Sequence, residues 1–140
     1  MTVVDVGVWL AASWSRHVHH PPARTWLDAQ SGPLLMCRVT QMSLLRLITN
    51  HTIMGEDALT RDRAWHVVDQ IRADDRVRWA GETPQVEATF RAISAQRDHH
   101  HKLWTDDYLA AFAQAWEASL ATLDRHMQER YPSIHVDQLI

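Results

Sequence analysis

Cysteine and lysine each occur once in this chain, as Cys37 and Lys102. A lone thiol excludes an intramolecular disulfide and any cysteine-built zinc centre. No apolar run approaches the ~18–20 residues needed to span a bilayer. The opening stretch, Met1 to Trp14, has no basic segment and carries Asp5 among its apolar residues. Neither a membrane anchor nor a secretory signal is therefore expected, and the expected compartment is the cytoplasm. No internal repeat, low-complexity tract or linker is visible. The glycine-rich loop that usually cradles phosphate is also missing, which disfavours a phosphotransfer enzyme.

What is present describes one ordinary globular domain over residues 1–140. Hydrophobic residues make up 46% and charged residues 22%, enough to build a core without disulfides or a structural metal. A net charge of −3 and a pI near 6.3 argue against a broad basic surface that coats nucleic acid. They leave room for an enzyme that meets nucleic acid at one place. Ten histidines and seven tryptophans are the conspicuous surplus.

Short apolar runs alternate with amphipathic segments. Thr2–Val6, Leu34–Val39, Val77–Ala80, Ser119–Leu123 and Ile134–Leu139 read as strands. Helices are expected over Val8–Trp14, His20–Ala29, Gln41–Ile48, Thr60–Ala73, Pro84–Gln96 and Asp106–Glu117, the last capped by Thr105. Strands alternating with helices predict a three-layer α/β/α domain with a central, mainly parallel sheet.

In such a sheet every strand ends, and every following helix begins, at one edge, where ligands bind. Asp5 follows the first strand, Gln41 opens the helix after the second, Asp106 opens the penultimate helix and Asp124 follows the next strand. A 12-residue helix rises about 18 Å and a five-residue strand returns about 17 Å, so Asp106 and Asp124 reach the same edge. Like charges 4 Å apart cost about 4 kcal/mol at an effective dielectric of 20. A convergent trio therefore requires a retained proton or a cation, and all-oxygen ligands favour Mg²⁺ or Mn²⁺. Spacing alone slightly favours a plainer reading, in which these residues are helix caps and strand-end aspartates.

Longer motifs shift that balance. The chain contains Asp5-Val-Gly-Val-Trp-Leu-Ala11, Thr40-Gln-Met-Ser-Leu-Leu-Arg-Leu-Ile-Thr-Asn50, Lys102-Leu-Trp-Thr-Asp-Asp-Tyr-Leu-Ala-Ala-Phe-Ala113 and Thr122-Leu-Asp124. In this order, and through nearly the whole length, it resembles the PIN-domain ribonuclease toxins of the VapC type. The resemblance implies a toxin of a type II toxin–antitoxin module: a Mg²⁺- or Mn²⁺-dependent endoribonuclease that leaves 5′-phosphate and 3′-hydroxyl ends. It implies Asp5, Asp106 and Asp124 as metal ligands, with Gln41 standing in the fourth catalytic position. A cognate VapB-type antitoxin, a homodimer and contact with DNA only through the antitoxin are further expectations of the family.

Two positions depart from the family pattern. Gly7 stands where Asn or Ser is frequent, and Gln41 stands where a second acid is usual, so one negative charge is missing. The competing reading from another class is a PIN fold with impaired catalysis that captures RNA or an antitoxin without cutting. Motif register selects Asp106, while spacing alone leaves Asp107 open. Lys102, four residues before Asp106, and Arg46, one turn past Gln41, are candidate RNA contacts. Each also has a plain reading, as a loop lysine and as an ion-pair partner. His17–His20 and His99–His101 lack the i, i+4 spacing of helical zinc sites and read first as solvated loops. Trp104, just before the candidate acids, is expected to pack under the loop, with base stacking as the alternative.

Overall fold

Successive side chains of a strand point to opposite faces of the sheet, and the central strands are apolar on both. The computed structural model describes all 140 residues. Val3, Leu35 and Leu120 pack into one core, while Val4, Leu34 and Met36 pack into another, as a period of two requires. The strands are β1 (Thr2–Val4), β2 (Leu34–Met36), β3 (Val77–Trp79), β4 (Ser119–Thr122) and β5 (Val136–Gln138). They form one sheet in the order β3-β2-β1-β4-β5, and every pairing is parallel.

Helices cover both faces because parallel strands need crossovers. The first core receives α1 (Val6–Ser13), α2 (His20–Ala29), α3 (Arg38–Ile48) and α5 (Arg61–Arg72), with Met54 of the short α4 (His51–Met54). The second receives α6 (Val86–Ser94), α7 (Trp104–Ala115) and Met127 of α8 (Met127–Arg130). This is the expected α/β/α architecture. β1 and β4 are neighbours, yet their connections leave in opposite directions, to β2 and to β5. The gap beyond their carboxyl ends is therefore the topological switch point, the place where open α/β sheets hold ligands.

Several boundaries differ from expectation. β1 ends at Val4 and α1 begins at Val6, because Asp5 is itself the helix cap. β2 stops at Met36 and α3 starts at Arg38, so Gln41 lies one turn inside the helix instead of opening it. α7 begins at Trp104 with Leu103 at the cap position, not at Asp106 behind Thr105. The short α4 and α8 had no sequence expectation; four residues are too few for a hydrophobic period to register.

Candidate active site

The backbone fixes Asp5 first. Its amide donates to the carbonyl of Ala121 at 3.0 Å, extending the β1–β4 ladder by one rung. Its side chain closes the helix start: Oδ1 accepts from the Val6 amide at 2.7 Å. Oδ2 accepts from Thr122 Oγ1 at 2.8 Å, and that same hydroxyl oxygen accepts from the Asp124 amide at 3.0 Å. One buried threonine thus ties the end of β1 to the residue that follows β4.

Asp106 arrives from the first turn of α7, and Asp124 from the turn before α8. Arg130, the last residue of α8, joins them. Its Nη2 donates to Asp124 Oδ2 at 2.5 Å and to Asp106 Oδ2 at 3.1 Å. The other Asp124 oxygen accepts from the His126 amide at 2.8 Å. Arg130 Nε is buried without a partner. Nothing in the sequence spacing singled out Arg130. The one available signal was Met127 and Tyr131, apolar at i, i+4 spacing after Asp124, which marks a helical turn beginning there.

Electrostatics confirm that the acids feel one another. Burial, followed by the charge of Asp5, pushes the Asp106 carboxyl up to about 6, and Arg130 only partly offsets this. Burial also raises Asp5, against the hydrogen bonds from Thr122 and Val6, and Asp124 adds repulsion. Asp124 goes the other way. Burial opposes its ionisation, but the His126 amide and Arg130 outweigh that and hold it below the usual carboxylate range. Three carboxylates against one guanidinium leave two excess negative charges when all are ionised. Burial first, and then that excess, hold Asp106 up.

An all-oxygen, partly buried, electronegative donor set suits a hard divalent cation such as Mg²⁺ or Mn²⁺. No three histidine, cysteine or acidic side chains close to ligand geometry around a single point. The cluster is closed on Arg130 instead. Its donor chemistry fits the cation, and its present compensation comes from the guanidinium.

The remaining expected residues are distributed differently. Gln41 is 1% exposed, and its Oε1 accepts from Arg38 Nη1 at 2.5 Å, with the Arg38 guanidinium in turn 4.6 Å from the Trp79 ring centre. It makes no hydrogen bond to the three acids. Arg46 is exposed in the last turn of α3, about 12 Å along the helix from Arg38 at 1.5 Å per residue, toward the opposite sheet edge. The structure therefore does not join it to the acids. Lys102 is exposed on the loop leading into α7 and forms no ion pair. Asp107 turns from the cluster and accepts from the Tyr131 hydroxyl. Gly7 has room beside it: a Cβ there would meet Leu123 Cδ1 at 3.8 Å.

Comparison with known proteins adds an independent line. A family profile described as PIN domain matches residues 2–132. Ribonuclease VapC41 of Mycobacterium tuberculosis is 42% identical over 130 residues, covering 89% of both chains. Ribonuclease VapC29 of the same organism is 29% identical over 137 residues, covering 97% of this chain and 96% of its own. Among solved structures, the sarcin-ricin loop cleaving toxin VapC20 of Mycobacterium tuberculosis superimposes with a TM-score of 0.71 at 15% identity, over 92% of this chain and 94% of that one. VapBC2 from Rickettsia felis, bound to a DNA fragment from its promoter, gives 0.68 at 10% identity, over 99% and 98%. At such identities the structures show a shared fold.

Proposed function

The chain belongs to the VapC ribonucleases of the PIN-domain family, and we propose that it is the toxin of a type II toxin–antitoxin pair whose endoribonuclease activity depends on Mg²⁺ or Mn²⁺. Residues 1–140 act as a single catalytic domain. The observation that carries this reading is the meeting of Asp5, Asp106 and Asp124 at the switch point between β1 and β4, with Asp106 raised to about 6 by burial and then by the charge of Asp5. Electrostatic repulsion stored there favours a cation, and an RNA phosphate brings further negative charge to the same place.

Asp5, Asp106 and Asp124 would hold the divalent ion, which when bound supplies positive charge at the scissile phosphate and acidifies a water. A carboxylate of the cluster orients the attacking water and accepts its proton. The water oxygen forms a bond to phosphorus in line with the leaving group. The bond from phosphorus to the 3′ oxygen breaks, and that oxygen takes up a proton. A 5′-phosphate and a 3′-hydroxyl result. Thr122 keeps Asp5 and Asp124 in mutual register throughout. Gln41 serves α3 through Arg38, and Lys102 is the free cation nearest in sequence to Asp106.

A VapB-type antitoxin is the proposed partner, as the solved VapBC complexes of like fold suggest, with DNA reached only through it. The proposed assembly is a homodimer and the proposed compartment the cytoplasm; no helix is long and apolar enough to cross a membrane. The test is cleavage of a panel of structured RNAs with Mn²⁺, with chelator, and by Asp5→Asn and Asp106→Asn. Cleavage that needs Mn²⁺ and is lost in both variants is expected. Activity that persists in chelator, or in both variants, rules the mechanism out. RNA binding without cleavage at generous Mn²⁺ would instead identify a binding module.

A further inference from the structure

Beside the acidic cluster lies a cavity of about 590 Å³ between the end of α6, the loop 95–103 and the start of α7. Arg130 belongs to both: it binds Asp106 and Asp124 on one side and lines the cavity on the other. We propose that this cavity receives one unstacked nucleobase of the RNA, next to the phosphate that is cut. The proposal rests on the ribonuclease reading above and names a subsite for it.

The rim supplies the apolar surface. Trp104 is 57% exposed, against the expectation that it packs under the loop. Phe90 holds the indole in an edge contact at 6.1 Å, and Tyr108 braces Phe90 at 5.5 Å in turn. A large aromatic side chain, fixed from behind and left in solvent beside a nuclease centre, is a stacking platform. The inner wall supplies polarity. Tyr131 donates to Asp107 and stays protonated, because burial and then that hydrogen bond push its hydroxyl pKa up. Asp107 has no other side-chain partner, so an acceptor oxygen remains for the amino or imino edge of a base.

His99, His100 and His101 line the same cavity from the loop, all exposed. Their ring nitrogens provide donors along the path of the adjoining backbone, which accounts for a histidine cluster the acidic site leaves unexplained. The volume falls within the ~300–1,000 Å³ usual for ligand pockets. A base in a duplex is already stacked and cannot enter. The subsite therefore selects single-stranded or looped RNA.

The test uses the purified chain in chelator, so that cutting does not intervene. Two fluorescent probes are titrated: a pool of unstructured 12-nucleotide RNAs of random sequence, and an all-abasic ribose-phosphate 12-mer. Trp104→Ala should weaken binding of the pool about 5- to 100-fold and leave the abasic chain unchanged. Trp104→Phe should recover most of the loss. Ultraviolet crosslinking of a pool carrying 5-iodouridine should mark the peptide containing Trp104. An unchanged circular dichroism melting curve establishes that the variants fold. Equal binding of the pool by wild type and Trp104→Ala, including none by either, overturns the proposal, as does equal loss of both probes. Loss of antitoxin binding with RNA affinity intact overturns it in favour of a protein occupant. Cleavage of the RNA panel with Mn²⁺ by a wild type whose RNA binding ignores Trp104 defeats the subsite alone; absence of that cleavage defeats the ribonuclease reading.

Discussion

Thr122 hydrogen-bonds Asp5 across 117 positions of sequence, Oγ1 to Oδ2 at 2.8 Å, at the one gap where the sheet's connections part. The same oxygen accepts the Asp124 amide. Thr122→Val keeps the shape but leaves that amide unpaired and strips Asp5 of a donor. A stability loss of about 1–3 kcal/mol is expected in urea denaturation. RNA cleavage should fall at least tenfold, and Thr122→Ser should restore both.

Asp106 makes stability depend on pH in an unusual direction. Its folded pKa, about 6, lies above the unfolded value near 4, so between those limits the folded chain holds more protons than the unfolded one. Its contribution therefore falls as pH rises from about 4 to about 6. The side chain is 29% exposed, so solvent screens part of the effect. In chelator at pH 7.5, Asp106→Asn should be more stable than wild type by about 1–2 kcal/mol, with the gap closing toward pH 4. Denaturation curves of both proteins across that range check the sign. Mn²⁺ should bind more tightly as pH rises through this range, because the ion takes the ionised carboxyl.

Arg130 compensates two acids through a single nitrogen, 2.5 Å from Asp124 and 3.1 Å from Asp106. Arg130→Gln should lower the stability of the chelated protein by about 1–2 kcal/mol, because the acids lose their positive neighbour. Mn²⁺ should then stabilise the variant more than it stabilises wild type. At a hundred times the dissociation constant a ligand adds about 2.7 kcal/mol. Thermal melting with and without Mn²⁺ reads this directly, and the Mn²⁺ effect should vanish in Asp5→Asn and Asp106→Asn.

Gly7, in the first turn of α1, has no positive φ and no steric need to be glycine. Gly7→Ala should stabilise the fold by about 0.5 kcal/mol through reduced backbone entropy in the unfolded chain. Its cleavage rate should match wild type. A tenfold loss would mean that the open space beside Leu123 is used during the reaction.

Local information was enough for the fold. Each strand carries its β-branched or leucine-rich run and each long helix its apolar face, so the α/β/α order could be read directly. That Asp5, Asp124 and one acid of the Asp106–Asp107 pair share an edge was also legible, because strands and helices of known rise return such residues there; the choice of Asp106 came from motif register. Gln41 and Arg46 were misplaced for a shared reason. Moving the start of α3 three residues earlier, to Arg38, puts Gln41 inside the helix against Arg38 and carries Arg46 farther from the carboxyl edge.

The sequence by itself determined that acids from the ends of β1 and β4 and from the start of α7 share one edge, since periodicity and strand length depend only on neighbouring residues. Tertiary structure alone decided what stands among them and beside them. Arg130 reaches Asp106 across 24 positions of sequence, from the end of α8 to the first turn of α7, and Trp104 stays in solvent because Phe90 and Tyr108 hold it at a cavity rim. Those contacts join residues far apart in the chain. The net charge of −3, weakly informative as a total, acquires its meaning from them: two uncompensated negative charges at one switch point, beside a cavity edged with histidines.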